Sequence, residues 1–139
     1  MRTIIALASA ALLIGCAHDG ATMTTGGAAP PKLAGTSWTI ASINGAAPTA
    51  ERKAKVRFSE DRISGNAGCN SFGAGYAISG DVMTATQVIS TKMACVGAGM
   101  DQENAFFKIL GQPMTMTWQD DGSMTLSDDA GTATLAPEK

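Results

Sequence analysis

A single histidine, His18, is present in the chain's 139 residues. Histidine is the side chain that most often supplies general acid-base chemistry near neutral pH. Here it stands in "AHDGATMTTGGAAPP", Ala17 to Pro31, a small and polar stretch ending in a proline pair that has almost nothing to bury. That placement argues against catalysis by histidine. Cysteine is scarce too, with three in the chain, and a structural zinc site needs four ligands where a catalytic one needs three. No basic excess is present: the formal net charge is -2, which argues against nucleic acid as a partner. No apolar run approaches the roughly 20 residues a membrane-spanning helix requires. The longest, Ile4 to Ile14, falls well short.

That short run has another meaning at the N-terminus. Met1-Arg2 supplies a charged start, Ile4 to Ile14 an apolar centre, and small residues precede Cys16, which is the layout of a signal peptide. Leu13-Ile14-Gly15-Cys16 resembles the bacterial lipobox, in which the cysteine is lipidated and becomes the first residue of the mature chain. Acyl chains then supply membrane attachment, each buried methylene contributing about 0.8 kcal/mol. Ala17 follows rather than aspartate, which favours the outer membrane. The expected organisation is a signal peptide over 1–15, a lipidated cysteine and flexible tether over 16–32, and one domain over 33–137 facing the periplasm.

Within that domain short alternating segments are bounded by turn residues. "TSWTIASI" puts Trp38 and Ile40 on one face and ends at Asn44-Gly45, a strong turn pair. "KAKVRFSEDRISG" alternates Val56 and Phe58 against Lys53, Lys55 and Arg57 and turns at Glu60-Asp61, while "YAISGDVMTA" turns at Gly80-Asp81. "PMTMTWQDDGSMTLSDDAGTATLAP" reads as three strands, with Met114, Met116, Trp118, Met124 and Leu126 at period two. One segment departs from this pattern. In "GMDQENAFFKILGQP", Asp101 is a good N-cap, Phe106, Phe107 and Leu110 recur at helical spacing, and Gly111 and Pro113 stop the helix. The expected fold is α+β: a mainly antiparallel, strongly curved sheet of seven or eight short strands with one covering helix.

Two cysteines remain once Cys16 is assigned to lipid. In an exported chain Cys69 and Cys95 read as disulfide partners, with reduced structural thiols and redox chemistry as the other readings. The acid pairs Glu60-Asp61, Asp120-Asp121 and Asp128-Asp129 lie at turns, where carboxylates do not face one another across a cleft as acid-base chemistry asks. A calcium site would want a spaced ligand series that is absent, so no metal or cofactor is expected. Arg52, Lys53, Lys55, Arg57 and Arg62 form a basic cluster that reads as the solvated face of a strand. A patch toward anionic headgroups is the sharper alternative.

The motif order "LAGTSWTIASING", "VRFSEDRISGNAGCNSFGAGYAISGD", "ISTKMAC" and "ENAFFKIL" resembles the META domain family, small bacterial envelope proteins that include heat-shock protein HslJ. The resemblance runs from Leu33 to Leu135 and is most specific at Ser64 to Asn70 and Thr91 to Cys95. It implies a non-catalytic α+β domain, commonly a lipoprotein, tied to stress responses and tolerance of novobiocin-type antibiotics. Under it Gly65, Asn66, Gly68, Cys69 and Asn70 shape a tight turn, and Thr91, Lys92, Met93 and Cys95 form the segment across from it. The resulting expectation is a monomeric outer-membrane lipoprotein with a binding or envelope-maintenance role, its partners an envelope protein or lipid. Two alternatives are a small hydrolase using Cys69 or the paired acids, and a carrier holding a lipid or small apolar ligand in a methionine-rimmed cavity. For the anchor, Cys16→Ser is expected to leave the precursor uncleaved and unlabelled by a palmitate analogue; undiminished labelling of the variant would remove the lipobox assignment.

Overall fold

A computed structural model describes residues 32–49 and 53–139. The signal peptide, Cys16, the tether with His18, and Arg52 of the basic cluster lie outside the described residues. Eight antiparallel strands follow one another around a closed barrel. They are β1 (Ser37–Ile43), β2 (Lys55–Phe58), β3 (Arg62–Asn66), β4 (Ser71–Ser79), β5 (Val82–Ser90), β6 (Met114–Trp118), β7 (Met124–Asp128) and β8 (Gly131–Pro137), with one helix, α1 (Ala98–Leu110), between β5 and β6. Every strand therefore neighbours its predecessor in sequence, and β8 returns to pair with β1. The expected α+β sheet with one helix is present, curved so far that it closes.

Alternation builds the wall. Along β2 the pattern exposes Lys55 and Arg57 and buries Val56 and Phe58. On β6 and β7, Met114, Met116, Met124 and Leu126 point inward. An eight-stranded barrel has an interior just wide enough to be filled by its own side chains. Phe58, Ile63, Met83, Met114, Met124, Leu126 and Leu135 fill this one, each at 0% exposure. Full burial of such a side chain stabilises the fold by roughly 1.5–3 kcal/mol. At the turn after β1, Asn44 and Gly45 both take positive φ, 51° and 79°, the conformation that an Asn-Gly pair tolerates best.

The helix begins earlier than its sequence signal. Gly97, not Asp101, occupies the N-cap, and Asp101 lies in the first turn without a capping hydrogen bond. The cause is backbone conformation: Gly97 turns the chain at φ 94°, a region open to glycine, so the helix starts before a capping side chain is reached. Gly111 ends it as expected. Its apolar face, Phe106, Ile109 and Leu110, joins the barrel's core cluster, and α1 packs on β8, β1 and β7. Phe106 and Phe107 also meet Phe72 of β4, at centroid distances of 5.5 and 5.7 Å. Room for the helix comes from β5 and β6, which pair only at Val82↔Thr115 and Met83↔Met114.

Close strand approach is specified at Gly65 on β3, where an added methyl would run into the Lys55 carbonyl. Gly65→Ala is expected to destabilise the domain by roughly 1–3 kcal/mol in urea unfolding. Ser64→Ala, at the exposed neighbouring position, should stay within about 0.5 kcal/mol.

Candidate functional site

The glycine-rich turn between β3 and β4 is built from its own side chains outward. Asn66 closes it locally: its Oδ1 accepts the Gly68 N–H at 3.0 Å and its Nδ2 donates to the Cys69 carbonyl at 3.3 Å. Asparagine is favoured at such turns because its short amide can mimic a backbone turn. Gly68 then brings the loop against the first turn of α1, where a Cβ would strike the Gly99 carbonyl. Only glycine permits that contact, and contact at that range lets the loop and helix share hydrogen bonds.

Glu103 takes the central position. It is 3% exposed, and its Oε2 accepts the Cys69 N–H at 3.0 Å together with the Asn70 N–H. Its Oε1 accepts the Asn70 side-chain amide at 2.8 Å. Asn70, also 3% exposed, passes the linkage on: its Oδ1 accepts the Thr91 hydroxyl at 2.8 Å and the Met93 N–H at 2.7 Å. A buried carboxylate is tolerated when its oxygens are met by donors in this way. Next to Glu103, Gln102 donates to the Ala67 carbonyl at 2.6 Å and accepts the Thr49 N–H at 3.1 Å. Helix, turn and the segment after β5 are thus one hydrogen-bonded unit.

A covalent link reinforces it. Cys69 and Cys95 form a disulfide, with Cα atoms 6.0 Å apart and a sequence separation of 26. Of the three readings open at the sequence level, the structure has the cross-link. Gly65, Asn66, Gly68, Cys69 and Asn70 gather in or beside the turn, and Thr91, Met93 and Cys95 face it, while Lys92 of the same segment is exposed. Glu103 was not among the residues singled out from sequence. Its signal was there: an acid sharing the helical stripe of Phe106 and Leu110, three and seven positions on, where an apolar residue is expected.

The other sequence candidates remain apart. Glu60 and Asp61 lie in the β2–β3 turn, where burial first, and then these two acids, hold the Tyr76 phenol above its ordinary pKa; its hydroxyl donates to the Ser59 carbonyl at 2.8 Å. Asp121 is held below the ordinary carboxylate range by hydrogen bonds from Ser123 in its own turn, and Asp128 accepts the N–H groups of Ala130 and Gly131 at 2.7 and 3.0 Å. These acids shape turns. Lys53, just before β2, and Lys55, Arg57 and Arg62 on β2 and β3 are exposed, but Lys55 pairs with Glu138 at 2.6 Å and keeps that carboxyl low. Among the described residues no three histidine, cysteine or acidic side chains are grouped to hold a metal ion, and no helix is long and apolar enough to cross a membrane. Met83, Met114, Met116 and Met124 are packed in the core and do not rim an opening.

Residues 31–139 match the family described as META domain. The fold is similar to an NMR structure of a protein from Burkholderia xenovorans, 23% identical, with a TM-score of 0.62 and coverage of 77% of this chain and 84% of that one. It is also similar to a second protein solved by NMR, 24% identical, with a TM-score of 0.66 and coverage of 77% and 92%. At those identities the likeness concerns the fold alone. Among curated proteins none matches.

Removing Glu103 leaves two buried backbone N–H groups without their acceptor, at roughly 1–3 kcal/mol each. Glu103→Leu should therefore lower stability by several kcal/mol, and Glu103→Gln, which keeps one acceptor oxygen, by less; equal losses in urea unfolding would contradict the hydrogen-bond account. Reduction of the Cys69–Cys95 bond should cost about 3–4 kcal/mol by loop entropy. Alkylation of the unfolded, unreduced mature protein should label neither cysteine.

Proposed function

The chain belongs to the META domain family, and from that premise we propose that it is a non-catalytic envelope lipoprotein, anchored through Cys16 to the outer membrane and facing the periplasm. Its domain serves as a binding or envelope-maintenance module in stress or novobiocin-type antibiotic tolerance. The observation that carries the non-catalytic reading is the commitment of the two reactive groups of the motif. The Cys69 sulfur is in a disulfide, so it is not a thiolate nucleophile. Both Glu103 oxygens accept hydrogen bonds from the turn, so its lone pairs are engaged in holding the backbone. The disulfide also fits an oxidising compartment such as the periplasm, as an exported lipoprotein requires.

The binding role is supported by rigidity. A turn, a helix and a loop locked by a disulfide and a buried carboxylate form a surface that docks without a large ordering cost. Deletion of the gene is expected to sensitise the host to novobiocin, with tolerance restored by the wild-type chain and not by Cys16→Ser. Wild-type tolerance in the deletion strain would remove the proposed role. The purified full chain should leave ester, peptide and glycoside substrates unchanged. Turnover that Cys69→Ser abolishes while the protein still melts cooperatively would replace this reading with the hydrolase.

A further inference from the structure

β5 carries the longest unpaired strand edge among the described residues. Its first two residues, Val82 and Met83, pair on both sides, but from Thr84 to Ser90 its ladder is with β4 alone. Residues 86–90 of that edge are exposed, including Val88 at 39% and Ile89 at 64%. The apolar surface continues into the adjoining loop with Met93 at 50% and Val96 at 99%. Natural edges are usually blunted by lysine, proline, inward charges or bulges. From Val82 to Thr91 there is no charged residue, proline or glycine. One irregularity is present, a register shift opposite Gly73 and Gly75 with Gln87 at φ 51°.

We infer that this edge is a homodimer interface, in which β5 of one copy pairs antiparallel with β5 of a second copy about a two-fold axis, Val88, Ile89, Met93 and Val96 covering one another. Two observations select the second copy. An isologous contact superposes identical surfaces, so any net charge repels itself; from Val82 to Thr91 the edge carries none, and the one charge of the adjoining loop is the exposed Lys92 between Thr91 and Met93. The exposed face of β2 and β3, with Lys53, Lys55, Arg57 and Arg62, would oppose its own copy. The second observation is chemical: unpaired backbone N–H and C=O groups are satisfied by another strand edge, and a second chain brings a matching one. The loop that flanks the edge is held by the Cys69–Cys95 bond and by Asn70, so Met93 and Val96 are presented without further ordering. A single strand edge with two loop side chains is a small contact beside the roughly 800 Å² per partner of a standard stable interface, so the dimer proposed is a weak and reversible one. This departs from the monomer expected from sequence, and it does not depend on the proposed anchoring or tolerance role.

The test places a photoreactive amino acid at Thr86 in the full chain expressed in its host envelope, with the same probe at Arg57 as control. Irradiation should give an adduct of twice the chain mass from Thr86, joined within residues 84–96 of the second copy, and none from Arg57. Val88→Lys, at an exposed position, sets like charges across the axis and should reduce the Thr86 adduct about tenfold while the melting temperature is retained. Monomer alone, an adduct to a different protein, or equal dimer yield from Thr86 and Arg57 would each overturn the proposal.

Discussion

The carboxylate of Glu103 is the contact through which the parts of this molecule hold one another. It sits on α1, takes its hydrogen bonds from the turn between β3 and β4, and through Asn70 reaches the segment that leaves β5. A buried charge without donors is costly, and one with three becomes a reason for the surrounding backbone to keep a single conformation. The features around it follow from that requirement. Gly68 is needed because the turn must approach α1 closely enough for its N–H groups to reach the carboxylate. Asn66 is needed because the turn must aim those N–H groups inward. The disulfide tethers the same turn to the opposite segment, so the polar network and the covalent bond restrain one place from two directions.

This arrangement explains how an eight-stranded barrel accommodates a helix in its wall. Closing a sheet satisfies edge backbone groups, yet β5 and β6 separate after two pairs so that α1 can lay Phe106, Ile109 and Leu110 into the core. Their separation leaves the outer part of β5 paired with β4 alone, its other edge free. Without the lock at Asn70 and Cys69, the segment from Thr91 to Val96 would have few restraints, since its residues are largely exposed. The open edge is thus the consequence of admitting the helix, and the lock is what keeps that edge in one shape.

The barrel is filled by its own residues. Its interior is occupied by its own phenylalanine, methionine, leucine and isoleucine side chains at essentially zero exposure. Methionine is suited to filling irregular space in a core, and the count of eight allowed a cavity rim as readily as a packed interior. Packing is what the four described buried methionines do.

Strand positions were legible in the sequence because period-two alternation with turn pairs leaves little freedom: β2 could bury Val56 and Phe58 only by exposing Lys55 and Arg57, and Asn44-Gly45 could hardly be anything but a turn. The cysteine pair was legible as a candidate, since compartment and count leave few partners. Closure of the barrel was not, because it depends on β8 meeting β1, a pairing between residues nearly a whole domain apart that no local pattern encodes. The helix start was misplaced because a glycine at positive φ can begin a helix without a capping side chain. Glu103 carries an acid's identity and an apolar residue's position, and its role is set only when folding brings the N–H groups of Cys69 and Asn70 to it. The uncharged stretch from Val82 to Thr91 could be read directly, but that one of its edges stays open was decided by where α1 packs, since a strand's free side exists only relative to the neighbours that tertiary structure assigns it.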